Sequence, residues 1–170
     1  SGRLAFLKLE HAIAANTEPA IRETQTLVYR EASPPDSPLV PPDVTDSLFD
    51  PAAWDRVRTL APSEALLFRF SALTFNTHRI HYDAPYAREV ERYRGLVVHG
   101  PLISTLLLQL AADLVGPNAL RSFAFTARSP AIAGDTLHLA ARQAGDTLEL
   151  AALNDAGALL TKASAVTGGG

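Results

Sequence analysis

GPLISTLLLQLAADLV, from Gly100 to Val115, is the stretch that decides the fold, and Gly116-Pro117 follows it directly. Leu102, Leu106, Leu110 and Leu114 recur every four residues, and Ile103, Leu107 and Leu108 widen the apolar face. Pro101 suits the first turn of a helix, and Gly116-Pro117 is stop chemistry. The spacing predicts a helix of about four turns, apolar on almost every side. A helix of that kind needs cover, and a curved sheet wrapped around it supplies cover.

Downstream, residues 121–128, 136–142, 147–153 and 158–166 have strand composition, with turns at Gly145-Asp146 and Asn154–Gly157. Upstream, Asp83-Ala84-Pro85 reads as an N-cap acid with a proline just inside, opening a short helix over 84–92. Ala65 to Ser71 (ALLFRFS) reads as a strand. Residues 32–43 hold five prolines (Pro34, Pro35, Pro38, Pro41, Pro42) and read as an extended linker, which the mixed residues 44–62 continue. Residues 3–13 and 20–30 pair as a hairpin around a turn at Asn16–Pro19. Two strands alone are marginal in water, so this hairpin is expected to belong to a larger sheet. The fold class is α+β, an antiparallel sheet around a long central helix.

The chain has 170 residues, 47% hydrophobic and 19% charged, which fits a globular chain of about one ordinary domain. A net charge of −3 argues against broad electrostatic binding of nucleic acid. The absence of cysteine excludes disulfides, thiolate nucleophiles and Cys-based metal sites. No apolar run reaches the ~20 residues of a membrane span, since Leu96–Val115 is broken by His99, Gly100, Pro101, Ser104, Thr105, Gln109 and Asp113. Lys8 and Glu10-His11 break the opening run, so no signal peptide is read, and a cytoplasmic protein without membrane attachment is expected. Because methionine is missing throughout, the chain is expected to begin inside a longer gene product.

Of five histidines, three (His78, His81, His99) flank the short helix, in FNTHRIHYD (75–83) and LVVHGPL (96–102). The stretch LLFRFSALTFNTHRIHYDAPYAREVERYRGLVVHGPL resembles the hydratase-type hotdog family, the MaoC-like (R)-specific enoyl-CoA hydratases. Within that family it is most similar to the mesaconyl-C4-CoA hydratase and type 2 hydroxyacyl-thioester dehydratase branch. The similarity covers most of residues 64–166, and residues 1–31 fit the end of that family's first repeat.

The resemblance implies a hotdog fold, part of a double hotdog. It divides the chain into 1–31 (last strands of an upstream repeat), 32–62 (linker), 63–167 (a complete repeat) and 168–170 (a flexible tail). The family signature is Asp, any residue, Asn, Pro, an aliphatic residue, His. His81 falls on its catalytic histidine and Ile80 on its aliphatic position, while Arg79 replaces the proline and His78 the asparagine. Asn76 stands where the family has its aspartate; the Asn-x-His-Arg-Ile-His pattern is similar to that of the mesaconyl branch. An amide cannot take a proton at neutral pH, so the acid–base work falls to His81, with Asn76 holding water by its amide oxygen. The glycine of the family's His-Gly pair donates its N–H to the developing enolate, and Gly100 matches it.

The implied activity is reversible hydration of an enoyl thioester to a 3-hydroxyacyl thioester. The acyl group could be a C5 dicarboxylic one such as mesaconyl, with Arg79 as a clamp for the second carboxylate. His78, His99, Val98 and Pro101 complete the expected substrate-binding set. No cofactor or metal is implied, because the CoA or acyl-carrier arm belongs to the substrate. The expected partners are that thioester and a second hotdog repeat, in a homodimer or another pairing. Arg92, Arg94 and Arg128 are candidates for the CoA phosphates without a motif behind them.

Three rival readings have residues of their own. A hotdog thioesterase needs an acid early on the central helix, but Ser104, Thr105 and Gln109 come first and Asp113 is far along. A metal-dependent hydrolase could draw on His78, His81, Asp83 and His99, but His-x-x-His on a loop lacks the tight spacing of zinc enzymes. The third rival is a non-catalytic acyl-binding or scaffold repeat.

Overall fold

The computed structural model describes residues 3–41 and 49–168. Residues 42–48 of the stretch read as linker, and 169–170 of the expected tail, lie outside them. The chain divides into two compact units, Ser1–Pro34 and Pro35–Gly170.

The first unit is the hairpin of β1 (Leu4–Ala15) and β2 (Glu18–Arg30), antiparallel with Leu7 opposite Leu27. Asn16 takes a φ of 57° at the turn, a left-handed conformation that asparagine tolerates. Only Leu9, Gln25 and Leu27 are half-buried, and the other hairpin side chains are exposed.

The second unit is built on a five-stranded antiparallel sheet in the order β3-β5-β6-β7-β4. Its strands are β3 (Arg56–Leu60), β4 (Leu120–Ala127), β5 (Leu137–Ala144), β6 (Thr147–Leu153) and β7 (Leu159–Thr167). Among the described residues, three α-helices precede β4: α1 (Glu64–Thr74), α2 (Ala84–Glu89) and α3 (Gly100–Val115). Helix α3 touches all five strands of the sheet. Leu102, Ile103, Leu107, Leu110 and Ala111 on α3 pack with Leu137, Leu139, Leu148 and Leu150 of β5 and β6 in one buried cluster. Each fully buried leucine of this kind contributes about 1.5–3 kcal/mol over an exposed one. A long helix cradled by an antiparallel sheet is the hotdog fold, as the apolar run 100–115 and the strands after it predict.

The helix boundaries follow local chemistry. α2 is capped by Asp83, whose Oδ1 accepts from the Tyr86 N–H at 3.1 Å. α3 stops at Gly116, where a φ of 96° is one that L side chains rarely adopt.

Two expectations are corrected. ALLFRFS is not a strand but the body of α1. Ser63 caps it, its Oγ accepting from the Leu66 N–H at 3.2 Å, and Phe75 closes it in the left-handed region with φ 53°. A short continuous apolar run has no period to separate helix from strand, and here the Ser63 cap decides.

The segment 32–62 is not simply a linker either. β3 lies inside it and pairs with β5 as an edge strand. Val40 donates to the Arg92 carbonyl at 2.9 Å and accepts from the Arg94 N–H at 3.0 Å, so the described proline-rich residues near Val40 are seated on the loop at 92–94. Prolines cannot donate to a ladder, but the valine between them can. No helix among the described residues is long and apolar enough to cross a membrane.

Candidate active site

Three elements meet where the histidines cluster. The loop after α1 carries Asn76 and His78. A short 3-10 turn over Arg79–His81 carries His81, and the residues before α3 carry Val97, Val98 and His99. Val97 N–H donates to the Ile80 carbonyl at 2.9 Å, which ties the turn to the strand-like approach to α3.

His81 is 7% exposed, and its Nδ1 lies 2.6 Å from the Val97 carbonyl oxygen. A carbonyl oxygen only accepts, so Nδ1 carries a proton. In the neutral ring Nε2 then keeps its lone pair and is the nitrogen able to take a proton. Burial pushes the His81 pKa below its ordinary value, the Val97 bond opposes that, and nearby His78 adds to it.

His99 is fully buried and stacks on His81, with ring centroids 3.6 Å apart and an 18° tilt. Its Nε2 meets the Ser71 hydroxyl at 2.8 Å, and Phe70 meets its ring edge-on at 4.9 Å. Burial lowers its pKa to about 4, with His81 and His78 adding to the effect, so His99 is neutral at pH 7.

The sign of the stability effect follows. Both imidazoles hold a proton less readily folded than unfolded, so their contribution is complete above the unfolded value of about 6.5. It is lost as pH falls through the folded values, down to about 4 for His99. Melting temperature is expected to fall between pH 6.5 and 5, and to fall less in a His99→Phe variant, as thermal melts across that window would show.

Gly100 is the first residue of α3, where a backbone N–H has no carbonyl of its own helix to meet. A Cβ built there would find nothing within 4 Å, so a flat group can approach that backbone. Pro101 beside it is exposed. The carbonyl of Pro101 accepts from the hydroxyls of Ser104 and Thr105, each at 2.9 Å.

Other expected site residues have partners within the chain. The Asn76 amide oxygen, expected to hold water, accepts from the His78 N–H at 2.9 Å, which shapes the loop leading to His81. Arg79, expected to clamp a substrate carboxylate, bonds Asp83 through Nε (3.0 Å) and Nη2 (2.7 Å) and lies over the Tyr86 ring. Asp83 holds the Arg79 pKa above its ordinary value, so its charge is already answered.

His78 is exposed, with its ring edge-on to His81 at 5.6 Å. Val98 is 3% exposed and its N–H donates to the Ala131 carbonyl, and His99 is fully buried. Arg94 pairs with Asp135, and the Arg92 side chain donates to the Ser37 carbonyl.

Ser71, Phe70 and the Val97 carbonyl were absent from the expected set. The one signal for Ser71 is indirect, since a histidine buried beside a helix start needs a polar partner. Asp113, the first acid on α3, pairs with Arg58 of β3 far from Gly100. His81 and His99 lie face to face, and no group of histidine and acid side chains among the described residues converges as a metal ligand set.

Residues 2–133 match the family model described as hydroxyacyl-thioester dehydratase type 2. The chain is 44% identical over 133 residues to mesaconyl-C(4)-CoA hydratase of Chloroflexus aurantiacus, covering 76% of this chain and 44% of that protein. It is 30% identical over 121 residues to the mitochondrial hydroxyacyl-thioester dehydratase type 2 of Schizosaccharomyces pombe, covering 70% of this chain and 38% of that protein. The chain thus spans less than half the length of these curated relatives. Among solved structures, HtdX from Mycobacterium tuberculosis superposes with a TM-score of 0.72 at 15% identity, covering 98% of this chain and 67% of that one, which is a likeness of fold.

Proposed function

The chain belongs to the hydroxyacyl-thioester dehydratase type 2 family, and on that premise we propose that it adds water to enoyl thioesters and removes it from 3-hydroxyacyl thioesters. The observation that carries this reading is the buried His81, with Nδ1–H committed to Val97 and its ring stacked on His99, the residue that precedes the open backbone of Gly100.

In hydration, His81 Nε2 takes a proton from water as the water oxygen bonds to the β-carbon. The π pair of the double bond moves onto the α-carbon and thioester carbonyl as an enolate. The Gly100 N–H, at the positive end of α3, donates to the enolate oxygen. The α-carbon then takes the proton back from His81, leaving hydroxyl on the β-carbon, hydrogen on the α-carbon and the imidazole restored. Dehydration runs the same steps backward. The CoA or carrier arm belongs to the substrate, and a second hotdog repeat, in a longer chain or a second copy, completes the working unit in this reading.

Gly100→Ala separates this role from folding. The added methyl meets nothing in the protein, and alanine suits a helix better than glycine, so the melting temperature is expected to hold or rise slightly. The methyl fills the approach to the N–H, so kcat/KM is expected to drop by about 10- to 100-fold. Steady-state assays beside thermal melts check both halves.

For the acyl group, the 44% relative named mesaconyl-C(4)-CoA hydratase supports a C5 dicarboxylic thioester. Loss of enoyl absorbance with mesaconyl-C4-CoA and crotonyl-CoA in parallel tests this, and the expected result is a kcat/KM about tenfold or more in favour of mesaconyl-C4-CoA. Arg79→Met is expected to leave that ratio unchanged, because Asp83 already engages the guanidinium. Equal turnover of both thioesters would discard the dicarboxylic substrate and keep the hydratase.

A further inference from the structure

Ser71 and His99 take no part in the chemistry above, yet the site is assembled around them. Ser71 sits on α1, His81 on the 3-10 turn, and His99 is the residue from which α3 starts. Packing alone does not account for a histidine at this place. His99 is fully buried, and its Nδ1 has no hydrogen-bond partner among the described residues. An unpartnered buried nitrogen is costly, whereas a phenyl ring would fill the same space without that cost.

We propose that His99, anchored by Ser71, is a positioning residue for His81, an inference that rests on reading His81 as the acid–base group. The Val97 carbonyl holds one corner of the His81 ring at 2.6 Å. That bond and the side chain's two torsions still leave the ring plane free to tilt. The face of His99, 3.6 Å away and tilted by 18°, removes that freedom. A point and a plane together leave the imidazole one orientation, which is what proton transfer to a defined atom needs.

The Ser71 bond has a part of its own, since it fixes how the His99 ring is rotated and ties that ring to α1. The groups facing His99 are His81 and His78 from the loop and turn, and Ser71 and Phe70 from α1. None is a carboxylate that would hold a proton on His99. An uncharged imidazole offers its π face to His81 at the moment His81 becomes cationic, and a cation over such a face is attracted to it.

The test compares the full wild-type chain with Ser71→Ala, Ser71→Thr and His99→Phe, read three ways. Thermal melts report the fold, enoyl-thioester assays report kcat and KM, and NMR of isotope-labelled histidine reports the His81 titration. Ser71→Ala is expected to lower kcat by about tenfold with KM changed less than about twofold, and Ser71→Thr to restore most of it. In Ser71→Ala the loosened His99 ring admits water, so the His81 titration midpoint rises toward its ordinary value of about 6.5. His99→Phe keeps the stack but not the anchor, and is expected to fall between the two.

A Ser71→Ala variant with wild-type kcat and an unmoved His81 titration overturns the proposal, and so does a loss of activity that only follows loss of melting temperature. If the wild type turns over no enoyl thioester, the hydratase reading fails by itself. The NMR arm then still decides whether Ser71 and His99 position His81, because it needs no turnover.

Discussion

His81→Ala is expected to lower kcat for enoyl-thioester hydration by about 10²–10⁴-fold while the protein stays folded. The size of the loss follows from there being one base. Asn76 cannot take a proton, and its oxygen is engaged by His78. His78 is exposed and edge-on, and His99 is buried behind the reacting ring with a pKa lowered to about 4. No neighbour is therefore placed to substitute.

Folding is expected to survive because, among the described residues, the His81 side chain makes one hydrogen bond, to the Val97 carbonyl, and one ring stack, on His99, and it sits on the 3-10 turn, away from the α3 and strand leucines. Losing that bond costs about 1–3 kcal/mol at most, which a melt would register as a modest shift. In the wild type, kcat/KM for hydration should rise with pH through the depressed His81 value and be level by pH 7, because the neutral imidazole is the active form.

Leu107→Ala is the substitution expected to cost most in stability, about 2–5 kcal/mol. Leu107 has no exposed surface, sits at the middle of α3, and belongs to the cluster that includes Leu139, Leu148 and Leu150 of the facing strands. Those neighbours are themselves held in a hydrogen-bonded sheet, so they cannot close over the void. Leu108 on the same helix is 37% exposed, and its alanine variant is expected to lose less than about 1 kcal/mol. Urea unfolding of the pair gives the comparison. The midpoint should fall sharply for Leu107→Ala with the slope unchanged, since the same surface is exposed on unfolding.

Helix α3 was legible because its signals agree: an apolar period, a proline in its first turn and a glycine at its stop. The strands β5, β6 and β7 were legible through the glycine and asparagine turns between them. α1 was misread because ALLFRFS is apolar without a period, so its Ser63 cap outweighed composition. β3 was hidden because Arg56 and Arg58 alternate with Val57 and Thr59 over five residues, and only pairing with β5 makes that an edge strand.

Within the site, His81 and Gly100 stood out by motif. The stack of His81 on His99 and the Ser71 anchor did not, because they join residues far apart in sequence through α1 and α3. Arg79 illustrates the converse. Its guanidinium chemistry suggests a carboxylate clamp, and the carboxylate it meets within the chain is that of Asp83, four residues on.

The most direct test of the central claim is to follow oxygen and hydrogen through one turnover. Wild-type protein would be incubated with an enoyl-CoA in heavy-oxygen water, and separately in heavy water, with the products read by mass spectrometry. Hydration by His81 predicts an intact CoA thioester that carries the heavy oxygen on its β-carbon hydroxyl and deuterium on its α-carbon, with both labels entering at least about 100-fold more slowly in the His81→Ala sample. Free CoA with the heavy oxygen in a released carboxylate, or no label in any product, would contradict it.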